Sequence, residues 1–126
     1  MSMPDVQHVM NLLEKYSTND HPSIKISLLR LAIIQAMSIA PEYREELEVM
    51  RERLKVISSQ ANWPAFQSYL LAGRWEAVED NEAFVYFDLL TEMDGIAEAL
   101  MKICEKKKLE IIQKLEEGVS WIYRKH

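Results

Sequence analysis

Turn-forming residues are scarce in this chain, and their scarcity limits the possible folds more than any other feature. Only three Gly and four Pro occur among its 126 residues. A sandwich or barrel of many short strands needs frequent turns, and turns draw heavily on Gly and Pro. Apolar residues instead recur at three- and four-residue spacings, which is typical of amphipathic helices. The sequence therefore predicts an all-α fold in a single domain, residues 1–126, with a bundle of five to six helices.

Two segments determine the expected architecture. Between Ser23 and Ile39, apolar side chains cover nearly the whole circumference, so we expect this helix to be central or to lie in a subunit interface. Residues 82–117 predict one long C-terminal helix of about 50 Å at 1.5 Å per residue. Its apolar stripe rotates past Lys107, which falls on the core-facing side. The helix should therefore break there, or leave the core to meet another surface such as a second subunit in a homodimer.

Capping residues delimit the shorter elements. Asn62 and Pro64 predict the start of a short helix, and Gly73 offers the left-handed conformation that ends it. Another turn is expected over residues 74–78, with Trp75 packing inward. Gly118 predicts a separate last turn over residues 119–123.

Composition and charge bear on location and partners. No apolar run reaches the roughly 18 residues of a membrane span, and the first ten residues lack the order of a signal peptide. We therefore expect a soluble, cytoplasmic protein with no membrane partner. A net charge of −5 makes nucleic acid an unfavourable main partner.

Charge is segregated in the C-terminal half of the chain. Eight acidic residues and no Lys or Arg lie between Glu76 and Met101, whereas seven basic and four acidic residues follow from Lys102 to Lys125. A surface of one sign steers partners of the opposite sign and disfavours those of the same sign. The acidic part therefore favours a basic protein partner, although a charge run can equally be a solvated helix face.

Two phenylalanines share the polar side of the predicted long helix with four of these acids. We call the six residues the acidic–aromatic face: Phe84, Phe87, Asp88, Glu92, Asp94 and Glu98. Rings rimmed by charge are typical of protein interfaces, where the rings supply affinity and the charges orient the partner. The competing interpretation buries both rings beneath the Trp75 segment. The leading hypothesis is a non-catalytic protein-binding module, namely an adaptor, chaperone or inhibitor/immunity-type protein.

The same carboxylates allow a second hypothesis. Acids four residues apart on a helix can supply oxygen ligands to Mg²⁺. The acids in question are Asp88, Glu92, Asp94 and Glu98, with Glu42, Glu45 and Glu46 on the third helix. This distribution loosely resembles the carboxylate-rich helices of all-α nucleoside triphosphate pyrophosphohydrolases. The resemblance implies a metal-dependent hydrolase of a nucleotide or another phosphorylated small molecule.

No residue is predicted to be catalytic or to hold a cofactor or metal ion. The three histidines are far apart in sequence, and none has metal-ligand spacing to another histidine or to Cys104. Cys104 falls on the apolar side of its helix, so we expect a buried structural thiol.

Overall fold

The computed structural model describes the backbone of residues 3–73 and 80–125, and the side chains of residues 3–73 and 84–119. These ranges contain five α-helices, one 3₁₀ turn and no strand, which confirms the all-α prediction. The elements are α1 (Met3–Thr18), α2 (Pro22–Ile39), the 3₁₀ turn (Pro41–Tyr43), α3 (Arg44–Gln60), α4 (Trp63–Ala72) and α5 (Asp80–Lys125).

Contacts along α5 fix the direction of its neighbours. The last turn of α1 and the middle of α3 reach the first half of α5, where Tyr16 bonds to Asp94 and Arg53 to Glu92. The 3₁₀ turn that precedes α3 meets α5 further on, at Lys107. Helix α3 therefore runs antiparallel to α5. Glu92 and Asp94 are two residues apart and so point to different sides of α5, which places α3 and α1 on different sides of it.

Helix α2 contacts each of the other four helices. Its inner side contributes Ile26, Leu29 and Ile33 to the hydrophobic core. Its outer side leaves Ile24, Leu31 and Ile34 exposed, because apolar residues cover nearly the whole circumference of the helix and only one side faces the core. By length and composition α2 could also cross a membrane, but the core helix of a soluble protein passes the same test.

Helix α4 begins and ends where the capping residues predict. The Asn62 side-chain oxygen accepts a hydrogen bond from the backbone N–H of Ala65 at 3.2 Å, and Pro64 lies in the first turn. Gly73 adopts a φ of 64°, in the left-handed region that favours glycine. The turn predicted over residues 74–78, with Trp75, lies outside the described residues.

Helix α5 continues through Lys107 and Gly118 without a break, so the prediction of a separate last turn is wrong. At Lys107 the buried ammonium is paired with the carboxylates of Glu42 and Glu110, the latter at 3.2 Å. Paired in this way, a lysine can occupy the core-facing side without breaking the helix. Beyond Lys107, residues 113–119 are all exposed. Of the two predicted alternatives, α5 therefore leaves the core and does not break.

Candidate functional site

The start of α5 is anchored to α4 by aromatic contacts. The Tyr86 ring stacks on the fully buried Phe66 ring with a centroid distance of 4.1 Å, and it meets Trp63 edge-on at 5.5 Å. The Tyr86 hydroxyl donates to the backbone oxygen of Asn62 at 3.1 Å. One aromatic residue of α5 is thus fixed inward, which sets the direction of its neighbours on the helix.

Both phenylalanines of the acidic–aromatic face lie on the outside of this anchor. The Phe84 side chain is 68% exposed and that of Phe87 is 46% exposed. Phe87 contacts Phe66 edge-to-face at 6.1 Å, so its ring is held against α4 while almost half of its surface stays exposed. The Trp75 segment, which the competing interpretation places over the rings, lies outside the described residues.

Glu92 links α5 to α3. Both of its carboxylate oxygens accept from the Arg53 guanidinium at 2.6 Å, across partly exposed side chains. Sequence spacing did not suggest this pair, because Arg53 belongs to a distant segment of the chain. Glu92 therefore helps to position the helix, although it stays open enough for a partner to approach.

Asp94 links α5 to α1 on a different side of the helix. Its carboxylate accepts from the hydroxyl of the buried Tyr16 at 2.7 Å. Burial, with the hydrogen bond to Asp94 as the next cause, raises the pKa of the Tyr16 hydroxyl far above its usual value. The Lys25 ammonium donates to the Tyr16 backbone oxygen at 2.8 Å and lies 4.1 Å from the centre of its ring. Asp94 is thus part of a polar junction between helices.

The other two acids of the face are less constrained. Asp88 is exposed and has no ion pair with any described side chain. Glu98 lies 3.6 Å from the Lys102 ammonium, with both side chains more than two-thirds exposed. An ion pair of that kind contributes little to stability. Asp88 and Glu98 can therefore engage a partner without breaking a strong internal contact.

A groove of about 620 Å³ lies between α1 and α5, next to this face. One wall is a stripe of α1 that includes Met10 and Glu14, and the other comes from α5 and includes Ala97 and Met101. Asp94 and Glu98 lie at its edge. Flexible methionines on apolar walls suit a helical ligand whose side chains are not fixed in advance. We call this feature the α1–α5 groove.

Sequence reasoning did not find this groove, although a signal for one wall was present. Gln7, Met10, Glu14 and Ser17 recur at three- and four-residue intervals, and all four line the groove. Which helix would face that stripe depended on a tertiary contact that spacing alone does not show.

The carboxylates considered as metal ligands are distributed over the fold. Glu42 meets α5 at Lys107, and from Asp94 to Lys107 the helix rises about 20 Å at 1.5 Å per residue. The hydrogen bond from the Lys107 ammonium holds the pKa of Glu42 below its usual value. Among the described residues, no group of three or more His, Cys, Asp or Glu side chains could hold a metal ion. Cys104 is buried, and its burial raises the pKa of the thiol to about 11.

No protein-family model, curated protein or solved structure gives a significant match to this chain. Its function is therefore argued from the geometry described above.

Proposed function

We propose that this chain is a non-catalytic protein-binding module of the cytoplasm: an adaptor, chaperone or inhibitor/immunity-type protein that docks a basic partner through its acidic–aromatic face. The observation that carries the proposal is the exposure of Phe84 and Phe87 beside Asp88 in the first turns of α5. In the same proposal the helices form a bundle, for which the contacts of α2 with every other helix are the support. Exposed apolar side chains on α2 and on the end of α5 support a homodimer.

The two rings supply the affinity in this proposal. Burying a Phe side chain that was exposed is worth about 1.5 to 3 kcal/mol. Phe84 has most of its surface still to bury, so it acts as the anchor that inserts into a partner. Phe87 is already held by Phe66, so less side-chain freedom remains to be lost when a partner covers its exposed surface.

The acids supply orientation and choice of partner. Among the described side chains, Asp88 has no ion pair and Glu98 has only an exposed one, so both add negative potential near the rings. Glu92 and Asp94 hold α5 against α3 and α1. Such a surface accelerates association with a basic protein and repels nucleic acid. Because the charges are exposed, their effect should weaken as ionic strength rises.

A titration with synthetic helices tests this proposal. The probe is an amphipathic peptide of Lys and Leu, and its counterpart carries Glu in place of Lys. The wild-type protein should bind the Lys peptide and not the Glu peptide, with affinity that falls as salt is added. Reversing Asp88→Lys and Glu98→Lys together should weaken binding about tenfold or more, which corresponds to about 1.4 kcal/mol.

The matched control places the same change of charge on another surface. Glu45→Lys with Glu52→Lys alters two exposed acids of α3, seven residues apart, by the same total charge. This variant should bind the Lys peptide nearly as well as the wild type at moderate salt. Equal losses in the two variants would mean that only net charge matters, and the acidic–aromatic face would no longer be the docking surface.

A further inference from the structure

The floor and the edges of the α1–α5 groove differ in chemistry. Apolar side chains that line it are buried or half-buried: Met10, Leu13, Ala97 and Met101. The acidic side chains that line it are all exposed: Glu14 on α1, and Asp94 and Glu98 on α5. The groove therefore has an apolar floor between acidic edges.

The negative charge at these edges is only weakly neutralised by the described part of the protein. Glu14 has no ion pair with any described side chain, and Glu98 has the exposed pair with Lys102 at 3.6 Å. Lys25 is the one basic residue among the described lining residues. Its ammonium donates to the backbone oxygen of Tyr16 at 2.8 Å, so its charge is directed to the end of α1. A ligand that combines apolar groups with cations is complementary to such a groove.

Phe87 lies on the same side of α5 as the groove wall. Phe87, Asp94 and Met101 follow one another at intervals of seven residues, and residues seven apart lie on nearly the same side of a helix. From Phe87 to Met101 the helix rises about 21 Å at 1.5 Å per residue. This side of α5 is therefore long enough to receive about four turns of a second helix.

We propose that one amphipathic helix of the basic partner lies in the α1–α5 groove. Its apolar stripe covers the groove floor and Phe87, and its Lys or Arg side chains meet the carboxylates at both edges. This inference rests on the proposed function and adds to it the kind of segment that the partner presents. It also assigns partner contacts to Met10 and Glu14, which do not belong to the acidic–aromatic face. Helix-in-groove recognition uses apolar residues at three- and four-residue spacings, and methionine side chains adapt to them.

Titration of α1 variants with the Lys peptide tests the groove. Met10→Lys combined with Glu14→Lys changes the α1 wall and leaves the acidic–aromatic face intact. Its affinity should fall about tenfold or more. The control is Met50→Lys combined with Glu46→Lys, which alters a half-buried methionine and an exposed acid at the same four-residue spacing on α3. That variant should bind nearly as well as the wild type at moderate salt.

Two further measurements make this test robust. Glu14→Lys alone, at an exposed position, should keep the helicity of the wild type by circular dichroism and weaken binding about threefold or more at low salt. A second peptide has the composition of the Lys peptide in a scrambled order that places Leu on every side of a helix. It should bind at least tenfold more weakly than the Lys peptide, and equal binding would overturn the amphipathic helix as the ligand.

The outcomes separate this inference from the proposed function. Equal affinities of the α1 and α3 double variants would overturn the groove as the binding site. If Asp88→Lys with Glu98→Lys still weakens binding in that experiment, the acidic–aromatic face remains the docking surface. A wild-type protein that does not bind the Lys peptide would overturn both proposals. A wild-type dimer in analytical ultracentrifugation that the α1 double variant converts to single chains would place a second copy in the groove, and this too would overturn the inference.

Discussion

Replacing Phe66 with alanine is expected to lower the free energy of unfolding by about 3 to 5 kcal/mol, the range for truncating a buried aromatic side chain. Phe66 is fully buried, and the described aromatic residues that contact its ring include Trp63 from its own helix and Tyr86 and Phe87 from α5. The change would therefore leave a cavity where α4 holds the start of α5. Urea unfolding followed by circular dichroism measures the loss.

Leu71→Ala is the control for this prediction, because it truncates an exposed side chain of the same helix. It should change the free energy of unfolding by no more than about 0.5 kcal/mol. The Phe66 variant should also release the Phe87 ring, so hydrogen exchange should rise at the beginning of α5 before it rises near Lys107. A Phe66 variant as stable as the Leu71 variant would contradict the described packing of α4 against α5.

Replacing Lys107 with glutamate is expected to cost about 3 kcal/mol or more, because it buries a carboxylate without a compensating cation. The new carboxylate would face Glu42 and Glu110 where an ammonium now pairs with both. Lys107→Met serves as the comparison, since an apolar side chain of similar length suits a buried position and Glu42 can be solvated. That variant should lie within about 1 kcal/mol of the wild type.

The stability difference between the wild type and the Lys107→Glu variant should change with pH in a definite direction. In the wild type the Lys107 ammonium lowers the pKa of Glu42. The pairing therefore stabilises the fold above the usual Glu pKa of about 4.3, and this contribution is lost as pH falls through the lowered value. In the Glu variant, acid neutralises the opposed carboxylates instead. The gap in stability between wild type and Lys107→Glu should therefore narrow on acidification, and a gap that widens would contradict the assignment.

Local sequence patterns predicted the elements of the fold well, because capping and apolar spacing act over a few residues. Asn62 and Gly73 delimit α4 by contacts within their own turns. The ties that position α5 join residues far apart in the chain, as Tyr16 to Asp94 and Arg53 to Glu92 show. No periodicity within one helix contains that information, so the α1–α5 groove and the pairing of Lys107 emerged only from the tertiary structure.

The acidic–aromatic face was predicted as a set of residues, but the roles within it were not. Helical spacing placed all six on the outward half of α5. It did not indicate that Glu92 and Asp94 would bond to neighbouring helices while Asp88 stayed without an ion pair among the described side chains. A helical wheel shows only the side of the helix on which each residue lies. The position along α5 at which α1 and α3 pack decides which acids form contacts within the protein.

The central claim is that Phe84 contributes to binding and not to folding. Its most direct test is to measure unfolding and Lys-peptide affinity on the same Phe84→Ser sample. Leu71→Ser is the matched control, because both wild-type side chains are 68% exposed. We predict that Phe84→Ser weakens peptide binding about tenfold or more while changing the free energy of unfolding by less than about 0.5 kcal/mol. Unchanged affinity together with a clear loss of stability would contradict the account.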